Sequence, residues 1–229
     1  MNECLPPDVL PVNDLAGNAA IFLADFEDQS DLSRLGPTAR RVLATAAALF
    51  LERGAAGTSV RDVTRACGLT PGALYNHFAS KDDLLYTLVE HGQVRMRRRL
   101  DEALAGAAAD PVAQFGAFVR GYVVGHLVAP LLARVTRREY LHLSPARVEL
   151  VVAERRSIRR DLTAILLAGQ DGGAFRLIGG PAGATGQALM VLDMCSRTSD
   201  WFDPHGPVGV VELAQRYVQA AARLVGASG

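Results

Sequence analysis

From Gly36 onward, apolar residues recur at intervals of three and four, while β-branched runs alternating at period two are nearly absent. That pattern predicts an all-α chain, and capping residues divide it into helices. Pro37 opens a helix whose apolar face is Val42, Leu43, Ala46, Ala47 and Phe50, and Gly54 closes it. Ser59-Val-Arg-Asp62 has capping-box spacing: the serine oxygen accepts an orphan amide while the carboxylate reaches back. The short helix it starts ends at Gly68. Thr70-Pro71 then pairs a capping hydroxyl with a proline at the first helical position, where the missing N–H costs nothing. This next helix ends near Phe78. Ser80-Lys-Asp-Asp83 is a second capping box, before a long helix running through Leu100 towards Ala108. Asp110-Pro111 and Ser144-Pro145 open helices of about 15 and about 24 residues, judged from the next breakers. Beyond a loop at 169–173, two more apolar helices are expected at 182–198 and 207–225.

Residues 1–35 break this regularity. They hold three prolines and no sustained period, with only a short apolar run, Ala19–Ala24, that fits a helical turn or a docking segment. The stretch reads as an acidic, flexible extension. It precedes a small helical domain at 36–96 and a larger one at 97–229.

Charge sharpens the division. The formal net charge is zero, but residues 1–35 sum to −6, residues 36–100 to +5 and the remainder to +1. A basic block beside an acidic segment fits an anionic partner for the block, and equally fits solvated helix faces. Although 49% of the 229 residues are hydrophobic, no run reaches the roughly 18 uncharged apolar residues of a membrane span. The first residues carry acids and prolines where a secretory signal carries bases, so a cytoplasmic protein with no membrane partner is expected. Cys4, Cys67 and Cys195 lie far apart and make neither a disulfide framework nor a metal cluster. Histidines 77, 91, 126, 142 and 205 are dispersed, without metal-ligand spacing. Nucleophile-elbow, Walker, dinucleotide and zincin motifs are all missing. The expectation is therefore a non-enzyme, with no catalytic residues, no metal and no cofactor.

The chemistry concentrates in Ser59–Phe78, SVRDVTRACGLTPGALYNHF. Two short helices joined by Cys67-Gly68-Leu69 form a helix-turn-helix, with Gly68 permitting a left-handed turn. Val60, Val63, Ala66, Leu69, Leu74 and Phe78 are assigned to the inward face. The second helix is left with Thr70, Pro71, Gly72, Ala73, Tyr75, Asn76 and His77 for a major groove, where small residues allow close approach. Thr58, Ser59, Tyr75, His77 and Lys81 supply donors for phosphates. Each has a plainer reading, Tyr75 as a half-buried aromatic and His77 as a packing histidine.

These residues resemble the DNA-binding domain of the tetracycline-repressor (TetR) family. The likeness rests on Ala47, Phe50, Gly54, Thr58-Ser59-Val60, Asp62-Val63 and Gly68-Leu69, followed by Gly72-Ala73-Leu74-Tyr75-Asn76-His77-Phe78-Ala79-Ser80-Lys81-Asp82-Asp83-Leu84. It covers residues 37–96. The resemblance implies phosphate contacts by Thr58, Tyr75, His77 and Lys81, and bases facing positions 70–73 and 76. It further implies a homodimer whose interface is built from the helices at 182–198 and 207–225, on a palindromic operator in double-stranded DNA. Apolar content there (Ala188, Leu189, Val191, Leu192, Val211, Leu213, Ala214, Tyr217, Val218 and Ala221) fits a subunit interface or extra core.

A small-molecule effector is expected between helices of the larger domain. Phe118, Tyr122, His126, Tyr140 and His142 are candidate lining residues for a hydrophobic ligand. Arg155, Arg156, Arg159 and Arg160 lie at helical spacing, so that Arg155 and Arg159 fall on one face. Together with the 138–145 and 173–176 segments and Trp201-Phe202, they look similar to acyl-CoA-responsive members. The same arginines also fit a solvated face paired with Glu154 and Asp161. The expected function is a transcriptional regulator, acting as a repressor released by an apolar or acyl-CoA effector. The alternative is a helical ligand-binding or protein-interaction module keeping the helix-turn-helix only as scaffold.

Overall fold

The structure, a computed structural model, describes residues 14–27, 32, 35–203 and 206–227. Among them the regular structure is helical, with no strand. The residues group into two compact units, one of Met1–Gly92 with Leu131–Val151 and one of Gln93–Pro130 with Val152–Gly229. The expected domain at 97–229 is therefore interrupted, because 131–151 belongs with the first unit.

In the first unit, α1 (Leu15–Glu27) packs along α2 (Pro37–Arg53). Asp14 caps α1, accepting the Gly17 amide at 2.9 Å. Phe22 and Phe26 are fully buried, and the Phe26 ring meets His91 edge-on at 5.4 Å. This part of the expected flexible extension is a docked helix. Two aromatics spaced i, i+4 fall on one helix face and bury together, an anchor masked by the surrounding acids and prolines. Residues 1–13 lie outside the described residues. With α1 on one side and α3 (Val60–Cys67) also packed on it, α2 is buried on every face from Val42 to Phe50.

The recognition segment continues through α4 (Pro71–Tyr75) to the long α5 (Lys81–Ala105). Later in the chain, Pro130 opens α7 (Pro130–Glu139), which follows α6 (Pro111–Leu127) and leads into a 3-10 turn, Tyr140–His142. No capping side chain precedes Pro130, so the sequence pattern does not mark the start of α7. A Cβ at Gly92 would lie 2.6 Å from Thr136 Oγ1, so glycine sets this close approach of α5 and α7. α8 (Pro145–Asp171) starts at the expected proline. Ser144 gives both its N–H (2.7 Å) and its hydroxyl (3.1 Å) to Asp82, and Arg147 binds Asp82 at 3.0 Å and Asp83 at 2.7 Å. These bonds tie the start of α8 to the start of α5.

The second unit is built around α6, α8, α9 (Ala184–Ser196) and α11 (Val210–Leu224), with the short α10 (Thr198–Trp201) between the last two. Asp110 caps α6 as expected, accepting the Val112 and Ala113 amides at 3.1 and 3.0 Å. Phe115 meets Phe175 edge-on at 5.4 Å, within a core that includes Leu162, Leu166, Val191 and Leu213. Among the described residues no single helix is long and apolar enough to cross a membrane.

Candidate nucleic-acid interface

α3 starts with a complete capping box. Asp62 N–H donates to Ser59 Oγ (3.2 Å), and Ser59 returns its N–H (2.9 Å) and its hydroxyl (2.5 Å) to Asp62 Oδ2. The Ser59 hydroxyl and amide, with Arg65 nearby, hold the Asp62 carboxyl below its ordinary range. Ser59 is exposed, but its hydroxyl proton is committed to Asp62. In the structure it caps α3.

The helix ends at Gly68, whose φ of +66° is the left-handed conformation glycine adopts without strain, and Leu69 N–H returns to Thr64 O at 2.8 Å. Thr70 caps α4 by accepting the Ala73 amide at 3.3 Å, with Pro71 at the first position. At five residues α4 is too short to stand alone. It is pinned by Leu74 and Phe78, both buried.

The outward face of this helix and of the turn after it is Thr70, Pro71, Gly72, Tyr75, Asn76 and His77, all exposed, with Ala73 half-buried. Tyr75 is 54% exposed, large for an aromatic on a packed helix. Nothing lies within 4 Å of a Cβ built at Gly72. The surface is a shallow one of small groups flanked by a phenol, an amide and an imidazole. Such a surface can meet base edges at its centre and phosphates at its rim. Ala66 departs from its inward assignment and is exposed, while Val60 and Leu69 are only half-buried.

Two expected phosphate contacts are placed differently. Thr58 is buried, and its hydroxyl donates to Gly54 O at 2.9 Å and Leu49 O at 3.4 Å. It closes the turn at the end of α2. Lys81 is half-buried, with Nζ donating to Ala55 O at 2.7 Å. The Ala55 amide in turn donates to Glu139 Oε2, also at 2.7 Å. The sequence pattern includes Glu139 only within the 138–145 segment, and its separation of 84 residues from Ala55 leaves no local signal for this bond. The second capping box also differs in detail: Asp83 N–H binds Ser80 Oγ at 3.0 Å, but the return bond comes from the Ala79 amide at 3.2 Å.

The candidate effector residues are distributed over both units. Phe118, Tyr122 and His126 line one face of α6 in the second unit, with ring centroids 6.2 Å and 4.6 Å apart in succession. Phe118 is a core residue, and His126 Nδ1 lies 2.8 Å from Tyr122 O. Tyr140 and His142 belong to the first unit, where His142 Nδ1 sits 3.4 Å from Glu139 Oε2. On α8, Arg155 and Arg159 are half-buried while Arg156 and Arg160 are exposed.

Glu154 and Asp161 are held by Arg97, at 2.8 and 2.6 Å, a residue the sequence reading passed over. Burial works against the charge of Arg97, but its bonds to Asp161 and Glu154 outweigh that and raise its pKa. Most of the apolar surface assigned to a subunit interface is spent within the unit: Ala188, Val191, Leu192, Leu213, Ala214 and Ala221 are buried. Leu189, Met190 and Val211 remain exposed. Burial pushes the Cys195 thiol up to about 12, so it is no nucleophile at neutral pH. Cys4 and His205 lie outside the described residues. Among those described, no group of three or more His, Cys, Asp or Glu could hold a metal ion.

Two family models match the chain. One, for bacterial regulatory proteins of the tetR family, covers residues 42–87, and the other, for the tetracyclin repressor-like C-terminal domain, covers residues 108–225. The HTH-type transcriptional regulator UidR of Escherichia coli (strain K12) is 34% identical over 70 residues, 31% of this chain. That match spans only 36% of UidR's length. The HTH-type transcriptional repressor DhaR of Mycobacterium sp. (strain GP1) is 30% identical over 149 residues, 58% of this chain and 75% of DhaR. The solved structure of AibR in complex with isovaleryl coenzyme A and operator DNA shares the fold, with a TM-score of 0.69, 22% identity, and coverage of 83% of this chain and 100% of that one. With the C-terminal model alone matching more than half of its length, the chain belongs to the tetR family of bacterial regulatory proteins.

Proposed function

We propose that the protein is a sequence-specific DNA-binding repressor that acts in the cytoplasm as a homodimer and leaves its operator when a small apolar or acyl-CoA effector binds. The observation that carries this reading is the face of α4 and the turn after it. Thr70, Pro71, Gly72, Tyr75, Asn76 and His77 stand exposed on a helix that Leu74 and Phe78 fix from beneath. In this reading Thr70, Pro71, Gly72, Ala73 and Asn76 face bases, and Tyr75 and His77 contact phosphates. Lys81 adds positive charge while tied to Ala55. A homodimer would present two such helices to successive major grooves about 34–36 Å apart or modestly more, on a palindrome.

The apolar groups left exposed on α9 and α11 (Leu189, Met190 and Val211) support a subunit contact there. The half-buried Arg155 and Arg159 and the aromatic row of Tyr122 and His126 support an effector with an anionic and an apolar part. The names of DhaR, a repressor, and of AibR, bound to an acyl-CoA and to operator DNA, support the same class. Release needs an effector that favours the non-binding geometry by about 1–3 kcal/mol.

Fluorescence anisotropy against DNA selected from a random library, at several salt concentrations, tests the reading. Wild type should bind tightly with a steep salt dependence, and Tyr75→Ala should lose affinity for every sequence alike. Weak binding of equal strength in both proteins, with no motif selected, would leave the helix-turn-helix a scaffold.

A further inference from the structure

We infer that Glu139 is a positioning residue for operator binding: it holds the Ala55 peptide, and so sets where the turn between α2 and α3 delivers the recognition segment. This rests on the regulator reading above. Ala55 is fully buried and lies between two charged side chains. Its N–H donates to Glu139 Oε2 at 2.7 Å, and its carbonyl accepts from Lys81 Nζ at 2.7 Å. Both bonds are charge-assisted and short, the strong kind.

The turn they grip starts at Gly54, whose φ is +74°, and closes where the Thr58 hydroxyl returns to Gly54 O at 2.9 Å. Ser59, the cap of α3, follows at once. α3 has eight residues and α4 five, so neither keeps its direction alone, and the segment inherits its aim from the turns at its ends. Thr58 belongs to that turn, and Lys81, at the start of α5, lies 26 residues from Ala55. Glu139 alone among these partners comes from α7, 84 residues away.

The carboxylate itself argues for more than packing. Glu139 is only 8% exposed, and burying a charge is costly unless hydrogen bonds offset it. The Ala55 amide supplies one, and His142 Nδ1 stands 3.4 Å from the same oxygen. A displacement of α7 by about 1 Å would stretch the 2.7 Å bond beyond hydrogen-bonding range. The position of α7 thereby governs the order of the turn, and through it the fit of α3 and α4 to DNA.

A positioning residue and a phosphate contact leave different marks. Losing a phosphate contact lowers affinity and flattens the salt slope by about one unit. Losing Glu139 should lower affinity with the slope unchanged, since the same phosphates are met less often in the right geometry. The test is anisotropy on the sequence that wild type selects, with Glu139→Ala and Glu139→Gln, at several salt concentrations. Exchange of the Ala55 amide is followed in parallel, and circular dichroism confirms folding.

Glu139→Ala should bind about tenfold more weakly at every salt, with faster Ala55 exchange. Glu139→Gln should recover most of the affinity, because its carboxamide oxygen still accepts the Ala55 N–H. If the alanine variant fails to fold, Glu139→Asp, one methylene short of reaching Ala55, should show the same loss at constant slope. Wild-type affinity in a variant whose Ala55 exchange is accelerated would overturn the inference alone, as would a slope reduced by one unit. Wild type that selects no DNA would overturn the regulator reading itself.

Discussion

The recognition segment and the core of the second unit satisfy their polar groups by opposite means. Between Ser59 and Phe78 the capping and turn bonds are local: Ser59 with Asp62, Leu69 with Thr64, Thr70 with Ala73. In the second unit they reach across the chain. The buried Gln187 accepts the Ile178 amide at 2.8 Å and donates to Leu224 O at 2.9 Å, 37 residues away. Arg97 holds Glu154 and Asp161 from 57 and 64 residues away. A surface that reads DNA gains from local caps, because its shape is then set by few groups and its outer face is left free. A core gains from distant bonds, because each ties two elements together and makes the unit fold cooperatively.

Gly72→Leu probes the first half of this contrast and carries the largest expected effect. A side chain at Gly72 points into open space, and leucine is the better helix former. The folded protein should therefore be as stable as wild type. Groove entry should be blocked and binding should fall to the non-specific level, roughly a thousandfold weaker. Anisotropy with thermal denaturation reads both quantities. A variant that loses stability and keeps operator affinity would mean that this face is packed and not presented.

Gln187→Leu probes the second half. It removes a buried carboxamide that bonds the Ile178 amide and the Leu224 carbonyl, at a cost of about 1–3 kcal/mol for the two bonds. The melting temperature should fall by roughly 2–12 °C. Salt-dependent DNA affinity of the folded fraction should stay that of wild type. A loss of affinity without a loss of stability would reverse the roles given to the two regions.

The same contrast explains which features were legible in the sequence. Caps are local, so Ser59-Asp62, Gly68, Thr70-Pro71 and Asp110-Pro111 all appear where their spacing placed them. Helix content and the helix-turn-helix followed from them. Side-chain direction inside a turn is not local. Thr58 turned inward to close α2, and Lys81 turned towards Ala55, though both stand in a motif that favours phosphate contact. Glu139 and Arg97 acquire their roles only from residues dozens of positions away, which no spacing rule encodes. Segment averages hide detail as well. The acids of 1–35 hid the Phe22/Phe26 anchor of α1, and the apolar richness of α9 and α11 does not say which of its residues are core.

The smallest effect sharpens the local half of the comparison. Ser59→Ala removes the capping oxygen and should cost about 1 kcal/mol at neutral pH. The Asp62 carboxyl is held below its ordinary value of 3.8 in the folded protein, chiefly by the Ser59 hydroxyl and amide. In the unfolded chain it returns to that value. A carboxyl depressed by folding stabilises the protein fully above its unfolded pKa and stops doing so as pH falls through its folded one. The wild-type advantage over Ser59→Ala should therefore be complete at pH 7 and should shrink as pH drops below about 3.8. Urea denaturation of both proteins at pH 7 and pH 3 measures it. A difference of the same size at both pH values would show that Asp62 takes no part in the cap. The order of α3 would then depend on the distant anchors at Ala55, as the second unit's does on Gln187 and Arg97.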